Sequence, residues 1–402
     1  MEPHRNPTRR QAVQTLAFTA ASAQRIFGAN ETLHIGCIGA GGRAQALIRT
    51  IERIPNARLT AVCDVWRENL EKARQIAGPS AFSTADYREL LARKDVDAVI
   101  IGAPDHQHVP LTIAACRAGK DVYVEKPLTH SRAEEQAVLQ AARDTGRIVQ
   151  VGTQQRSMPH MKKGRDLVLA GKIGKVHKAH ITWNRNAPRA AQQYTIDPRT
   201  VDWKSWLGPA RPQNFDPYRF RQWRWFWDFG GGIFTDLMVH QIDIVHWILG
   251  LDHPTTAASI GDWFSAKGIW ETPDTVQTIL HYPEKEVQVY FEGTFSNARN
   301  AAMIELMGSD GTLYLDRGRY ELYPEIRTKK FAYEEWILGT GPRGADFYDN
   351  PNGELLHLTD WVDAIRTRKQ PVAPVEAGVH SAAAAHLANQ ALRSGQVAKW
   401  SS

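Results

Sequence analysis

Asp121-Val-Tyr-Val-Glu-Lys-Pro127 is the stretch from which the fold can be read. Val122 to Val124 read as a short buried parallel strand that stops on three residues foreign to a sheet. Pro127 has no backbone donor and ends the ladder. Glu125 and Lys126 therefore stand at a strand's carboxyl end, where open α/β sheets bind their ligands. Taken alone, the pair reads more readily as a solvated ion pair after a strand. Its surroundings decide between the two.

Upstream, Leu33-His-Ile-Gly-Cys-Ile38 is an apolar strand that runs into Gly39-Ala-Gly-Gly-Arg-Ala44, after which Ala46, Leu47 and Ile51 open a helical pattern. This is G-x-G-x-x-A between a strand and a helix, the context in which the motif carries weight. Gly39, Gly41 and Gly42 permit a tight turn and close approach of a pyrophosphate, which rests on the helix amino terminus with Arg43 beside it. A second strand, Leu59–Cys63, ends on Asp64, 25 residues after Gly39. A carboxylate there accepts both ribose hydroxyls and repels a 2′-phosphate, which favours NAD. Arg67, close behind, leaves NADP open.

The alternation continues with a strand at Asp97–Ile101, Pro104-Asp-His-Gln-His108 at its carboxyl end, and a helix from Val109 to Arg117. His106 and His108 either cap that helix or meet the cofactor, and their place beside Glu125-Lys126 favours the cofactor. A helix over Ser131–Thr145 and a strand at Ile148–Val151 complete a parallel Rossmann-type sheet over residues 33–152.

From residue 153 to 402 the grammar changes. A helix near Met158–Ala170 and a strand over Lys175–Trp183 precede a long irregular stretch to Phe229, rich in Pro, Arg and Trp. Eight of the 13 tryptophans fall between Trp203 and Trp270, and aromatic faces with arginine forks suit sugar rings, though any one of them can equally be core. Gly230-Gly-Gly232 opens a helix, Ile233–Leu249, on which Asp236, His240, Asp243 and Trp247 share one face. Asp236 and His240 sit one turn apart, but no clear third ligand accompanies them, so a metal is not expected. The strand-like runs Thr275–Tyr282, Val287–Phe295, Ala301–Met307 and Thr312–Leu315 follow without long helices between them, which predicts a largely antiparallel sheet. Helices at Glu354–Arg366 and Glu376–Arg393 close the chain.

The formal charge of +6 is unevenly spread: residues 1–30 carry Arg5, Arg9, Arg10 and Arg25 against Glu2, half of the total. No basic stripe or zinc-finger spacing accompanies it, so nucleic acid is not an expected partner. Thr8-Arg-Arg-Gln-Ala-Val-Gln-Thr-Leu-Ala-Phe-Thr-Ala-Ala-Ser-Ala23 resembles a twin-arginine export signal with a small-residue site to cut, although Ala12 and Val13 depart from the usual pattern. The alternative is a disordered tail on a cytoplasmic protein. No later run is long and apolar enough to span a membrane. Three cysteines, Cys37, Cys63 and Cys116, lack both even count and metal spacing, which argues against a disulfide framework.

Over nearly all of residues 33–395 the chain resembles the Gfo/Idh/MocA family of nicotinamide-dependent sugar oxidoreductases. The glycine turn, Glu125-Lys126-Pro127, and Asp236-x-x-x-His240 after a glycine run match its pattern in order and spacing. The resemblance implies a Rossmann domain followed by an α/β domain whose open sheet makes a dimer or tetramer. It implies Lys126 and His240 as the catalytic pair with Asp236 assisting, and often a cis peptide before Pro127. Asp64, His108, Glu125, Lys126 and Gln154 become cofactor contacts; Arg156, Trp183, Asn184, Trp225 and Asp236 become substrate-side residues.

Three functions fit these residues. One is a sugar dehydrogenase, in which His240 takes a hydroxyl proton, Lys126 steadies the alkoxide and NAD(P) accepts the hydride. Another is a redox-neutral glycoside hydrolase that keeps its NAD and returns the hydride. The third is a non-catalytic sugar binder, disfavoured because Lys126, Asp236 and His240 are all present. A true export signal would favour the redox-neutral reading, since free NAD is scarce outside the cytoplasm.

Overall fold

The computed structural model describes residues 31–187, 192–339, 348 and 351–400. The twin-arginine-like segment lies outside them. Among the described residues the first unit is one parallel sheet of six strands: β1 (Leu33–Ile38), β2 (Ala57–Cys63), β3 (Phe82–Thr84), β4 (Ala98–Ile101), β5 (Asp121–Val124) and β6 (Val149–Val151). Their order is β3-β2-β1-β4-β5-β6. β1 pairs with both β2 and β4, so the winding reverses there and opens a crevice at the strands' carboxyl ends. Helices α1 (Gly42–Ile51), α2 (Arg67–Ala77), α3 (Tyr87–Ala92), α4 (Asp105–Arg117) and α5 (Glu135–Thr145) connect the strands.

The sequence reading missed α2, β3 and α3, a short and mostly exposed stretch with little apolar signal. It also began α4 too late, at Val109. The helix starts at Asp105 and carries Pro110 inside, at the cost of one ladder bond. His106 and His108 are therefore first-turn helical residues.

The second unit comprises α6 (Pro159–Leu169), β7 (Val176–Asn184), α7 (Trp203–Leu207), α8 (Pro217–Arg221), α9 (Val239–Leu249), then β8 (Thr256–Asp262), β9 (Thr275–Tyr282), β10 (Val287–Thr294), β11 (Met303–Gly308), β12 (Gly311–Asp316), β13 (Arg319–Pro324) and β14 (Glu334–Ile337). Helices α10 (Gly353–Thr367) and α11 (Val375–Ser394) and the short β15 (Ala398–Lys399) end it. Its sheet runs β14-β13-β12-β11-β7-β10-β9-β8-β15, antiparallel except for the β7–β10 pair. In β9, Val276, Thr278, Leu280 and Tyr282 are buried while Gln277 and Ile279 are exposed, so one face packs on helices and the other stays open.

Packing does not respect the division at residue 153. Leu358, Trp361, Val362 and Ile365 of α10 are buried with Leu33 and Ile35 of β1 and with Leu47 of α1, in the first unit's core. α11 serves both units: Val375 and Val379 join the other face of the parallel sheet, and Ala384, Leu387 and Ala388 join the second core. The chain's last helices thus fasten the two sheets together.

Candidate active site

At the β1–β4 crevice lies a cavity of about 880 Å³ lined by Gly39, Gly41, Gly42 and Asp64. Gly39 has φ +78°, and a Cβ there would fall 2.5 Å from the Ala103 backbone nitrogen, so the turn needs glycine twice over. A Cβ on Gly42, the first residue of α1, would meet nothing within 4 Å, which leaves room against the helix amino terminus. Asp64 is buried and accepts from Ala40 N at 2.7 Å and Trp66 N at 2.8 Å. Burial pushes its pKa up to about 6 against those donors. A glycine turn, an open helix end and a carboxylate on the next strand fit a dinucleotide.

The second unit supplies one wall of this cavity through Asp202, Ser205 and Trp206. Trp66 bridges to Val201, and Asp202 N donates to the Val65 carbonyl at 2.8 Å. Gln107 Nε2 donates to the carbonyls of Ser205 at 3.0 Å and Trp206 at 2.9 Å. His106 Nε2 sits 3.0 Å from the same Trp206 carbonyl; its pKa is pushed down to about 4 by burial, so a neutral ring donates there. His106 thus helps hold the second unit's wall in place and does not face the cofactor cavity.

A second cavity, of about 360 Å³, adjoins the first and shares Arg43, Gly102, Ala103, Trp223 and Arg224 with it. Lys126, Asp236 and His240 meet in it. The Lys126-Pro127 peptide is cis. Lys126 Nζ donates to the Asp236 carbonyl at 2.8 Å and to Oδ1 at 2.9 Å. Asp236 lies in a π turn, Phe234–Met238, that precedes α9, and such turns recur at functional sites. Arg224 Nε reaches the same Oδ1 at 3.1 Å. That approach depends on Gly230, where a Cβ would lie 2.8 Å from the Arg224 carbonyl oxygen. Burial would raise the Asp236 pKa, but the Lys126 and Arg224 charges win and hold it well below the carboxylate range. Burial first, then the Lys126 charge, hold His240 well below the ordinary histidine value, so its ring is neutral. It packs at 33° to the Trp183 ring, with centroids 5.1 Å apart.

Behind the pair stands a buried polar wall. Glu125 accepts from Arg43 Nε at 2.9 Å and from Gln154 Nε2 at 3.2 Å, and Gln154 also donates to the Tyr123 hydroxyl at 3.1 Å. Arg43 reaches on to Glu354 of α10. Burial raises the Glu125 pKa, yet Arg43 and Lys126 bring it below its usual value. His108 lines the cavity with Nδ1 2.6 Å from the Pro127 carbonyl and Nε2 2.8 Å from that of Ala103; burial pushes its pKa down to about 4, so the neutral ring donates to one of the two. That single N–H braces the backbone beside the cis peptide.

Three expected substrate-side residues face elsewhere. Arg156 forms a buried fork with Asp243, at 2.7 and 2.8 Å. Asn184 donates to Glu292 and to the Arg299 carbonyl. Trp225, 1% exposed, stacks on Trp270 at 4.3 Å. In each case a neighbour lines the cavity instead: Gln155, Arg185, and the pair Trp223 and Arg224. Asp243 consequently leaves the helix face that Asp236 and His240 share. Arg317 and Asp105 also line the cavity, and nothing local in the sequence marked Arg317. Asp105 opens the first turn of α4. Among the described residues no group of three or more His, Cys, Asp or Glu side chains is placed to hold a metal ion. No helix of theirs is long and apolar enough to cross a membrane.

Residues 33–153 match the oxidoreductase-family model for the NAD-binding Rossmann fold, and residues 165–400 match that family's C-terminal alpha/beta domain. An uncharacterised oxidoreductase, YrbE, of Bacillus subtilis (strain 168) is 26% identical over 373 residues, 90% of this chain and 94% of its own. The scyllo-inositol 2-dehydrogenase (NAD(+)) of the same organism is 29% identical over 328 residues, 80% of this chain and 82% of its own. Levoglucosan dehydrogenase in complex with NADH and levoglucosan shares the fold with a TM-score of 0.72 at 18% identity, over 92% of this chain and 99% of its own. With matches running through both of its units, the chain belongs to the Gfo/Idh/MocA oxidoreductase family and carries that family's NAD-binding domain.

Proposed function

We propose that this protein oxidises a hydroxyl of a sugar or sugar derivative, with NAD favoured over NADP by Asp64. The observation that carries this reading is the Lys126–Asp236 contact beside a neutral His240, in a cavity that opens onto the dinucleotide cavity. When bound, the nicotinamide supplies the hydride acceptor. The chain supplies the rest. His240 accepts the hydroxyl proton, for which a neutral imidazole is the competent form. Lys126, anchored by Asp236, places its ammonium where the alkoxide charge develops. Relatives named for scyllo-inositol and levoglucosan support a polyhydroxylated ring as substrate. The test has two steps: denature purified protein and identify any released nucleotide, then assay a sugar panel for nicotinamide reduction. A protein that neither binds NAD in calorimetry nor reduces it with any sugar would refute the reading.

A redox-neutral glycoside hydrolase is the second reading. It is favoured by the wall that Asp202, Ser205 and Trp206 of the second unit add to the dinucleotide cavity, which would slow cofactor exchange. The twin-arginine-like residues 8–23 support it too. Replacing Arg9 and Arg10 by lysine should retain the protein in the cytoplasm; if the unaltered protein also stays there with its amino terminus intact, the tail reading is correct. Aglycone release without net nicotinamide reduction identifies the hydrolase. Exposed Ile260, Ile279 and Tyr323 on the second sheet support a homo-oligomer, and a monomeric mass by light scattering would count against it.

A further inference from the structure

Asp105 is a carboxylate of the smaller cavity to which the reaction above gives no work and which, unlike Glu125, bonds no cation among the described residues. It is the first residue of α4, part of the cavity wall, and 3% exposed. The cations around it are committed elsewhere: Lys126 and Arg224 both bond Asp236, and Arg43 bonds Glu125. No hydrogen bond or ion pair among the described residues engages the Asp105 carboxyl. Its position at a helix amino terminus favours an anion modestly. An unpaired buried carboxylate beside two others costs more than that, and such groups keep their proton. The balance agrees: burial lifts the Asp105 pKa well above the carboxylate value, Lys126 and Arg224 oppose, and Asp236 and Glu125 add to the rise. Two carboxyls in one cavity driven in opposite directions, Asp236 down and Asp105 up, divide the roles of anion and acid.

We propose that Asp105 is a second proton-transfer residue of this cavity, which hands a proton to a substrate oxygen other than the one His240 serves. The proposal rests on the hydroxyl-oxidation reading and goes beyond it. Carbinol oxidation releases one proton, and His240 accounts for it. A second donor has work when the substrate also expels an oxygen group from the carbon β to the new carbonyl. In that step the α C–H proton passes to His240, once His240 has given the hydroxyl proton to water. The C–H electron pair becomes the C=C bond, the C–O bond breaks, and the Asp105 Oδ–H proton goes to the departing oxygen. The carboxylate left behind takes a proton from the water whose hydroxyl then adds to the β carbon, and His240 returns its proton to the α carbon. The substrate class is therefore a sugar bearing an oxygen leaving group two carbons from the oxidised carbinol, as glycosides do.

The test compares NAD-loaded wild type with Asp105→Asn, and with Asp105→Ser should the first fail to fold, on alkyl and nitrophenyl glycosides. Alkyl release should fall about a hundredfold or more. Nitrophenyl release, whose leaving group needs little acid, should fall only a few fold, and single-turnover nicotinamide reduction should hold. Equal losses on both glycosides, a lost reduction step, or a wild type that oxidises sugars but cleaves no glycoside overturns the proposal. Infrared difference spectra at pH 7 decide independently of substrate. Wild type minus Asp105→Asn should show a protonated-carboxyl C=O band, and a carboxylate pair in its place is a negative result. If no sugar reduces NAD at all, it is the oxidation reading that falls, while the infrared result still fixes the state of Asp105.

Discussion

Lys126 donates to two oxygens of a single residue, the carbonyl and the carboxylate of Asp236, at 2.8 and 2.9 Å. The lysine stands two residues past β5 of the parallel sheet and the aspartate belongs to the π turn before α9, so the bond joins the two units at the site itself. The ammonium is held by the domain fit and does not need to be recruited by substrate.

That geometry makes the pair a unit with His240. Lys126→Ala and His240→Ala should each lower turnover by roughly a hundredfold or more. Because both serve one proton transfer, the double variant should be scarcely worse than either single one. Cofactor affinity should survive His240→Ala, since that residue comes from the second unit, and chelators should change nothing. Near-normal turnover of His240→Ala on an identified substrate would remove α9 from the catalytic face.

The neutrality of His240 sets a pH dependence. Burial and the Lys126 charge lower its pKa well below 6.5, so the base stays competent on the acid side of the usual histidine range. The acid limb of kcat/KM should therefore lie below pH 6.5, and activity should fall as pH drops through it. Lys126→Met removes one lowering charge and should move the residual limb upward. An acid limb above 6.5 in the wild type contradicts this.

What the sequence disclosed was local. The glycine turn, Asp64 and the strand ending on Glu125-Lys126-Pro127 each follow from a few adjacent residues whose backbone demands are fixed. Phase was harder. In β7, side chains alternate, so Trp183 and Arg185 face the cavity while Asn184 turns to Glu292. In the 3-10 turns Gln154–Ser157 and Trp223–Trp225, three residues make a turn, and the third points away from the first two. Being one residue off therefore put Arg156 and Trp225 in the core. Arg317 and α10 reach their places by tertiary docking, for which no local signal exists.

Those phases predict a contrast between two neighbours. Trp225 is buried against Trp270 and Phe295, so Trp225→Ala should cost about 3–5 kcal/mol of stability. Trp223 lines both cavities, and Trp223→Ala should mainly raise KM. Arg156→Met should behave like Trp225→Ala, because it strands Asp243 in the core, a loss of about 3–5 kcal/mol. Denaturant midpoints and steady-state kinetics separate the two classes, and a KM effect without a stability effect for Arg156→Met would return that residue to the substrate site.

Asp64 ties cofactor choice to pH. Burial raises its pKa to about 6, while a ribose diol donates to the ionised form. Below about pH 6 a proton must leave before NAD can bind, so the Kd for NAD should rise toward tenfold for each unit the pH falls. Above pH 6 the group is already ionised and affinity should be flat. The apoprotein shows the converse sign: a carboxyl whose folded pKa is raised contributes stability that is present below pH 4 and lost as pH rises through 6. Asp64→Asn removes the titration, so its NAD affinity should be weaker and insensitive to pH, and its preference over NADP should shrink as the repulsion of a 2′-phosphate disappears. Calorimetry with both nucleotides at pH 5, 6 and 8 checks the slope and the preference together, and tighter binding of NADP by the wild type at pH 8 would show that Asp64 does not contact the ribose.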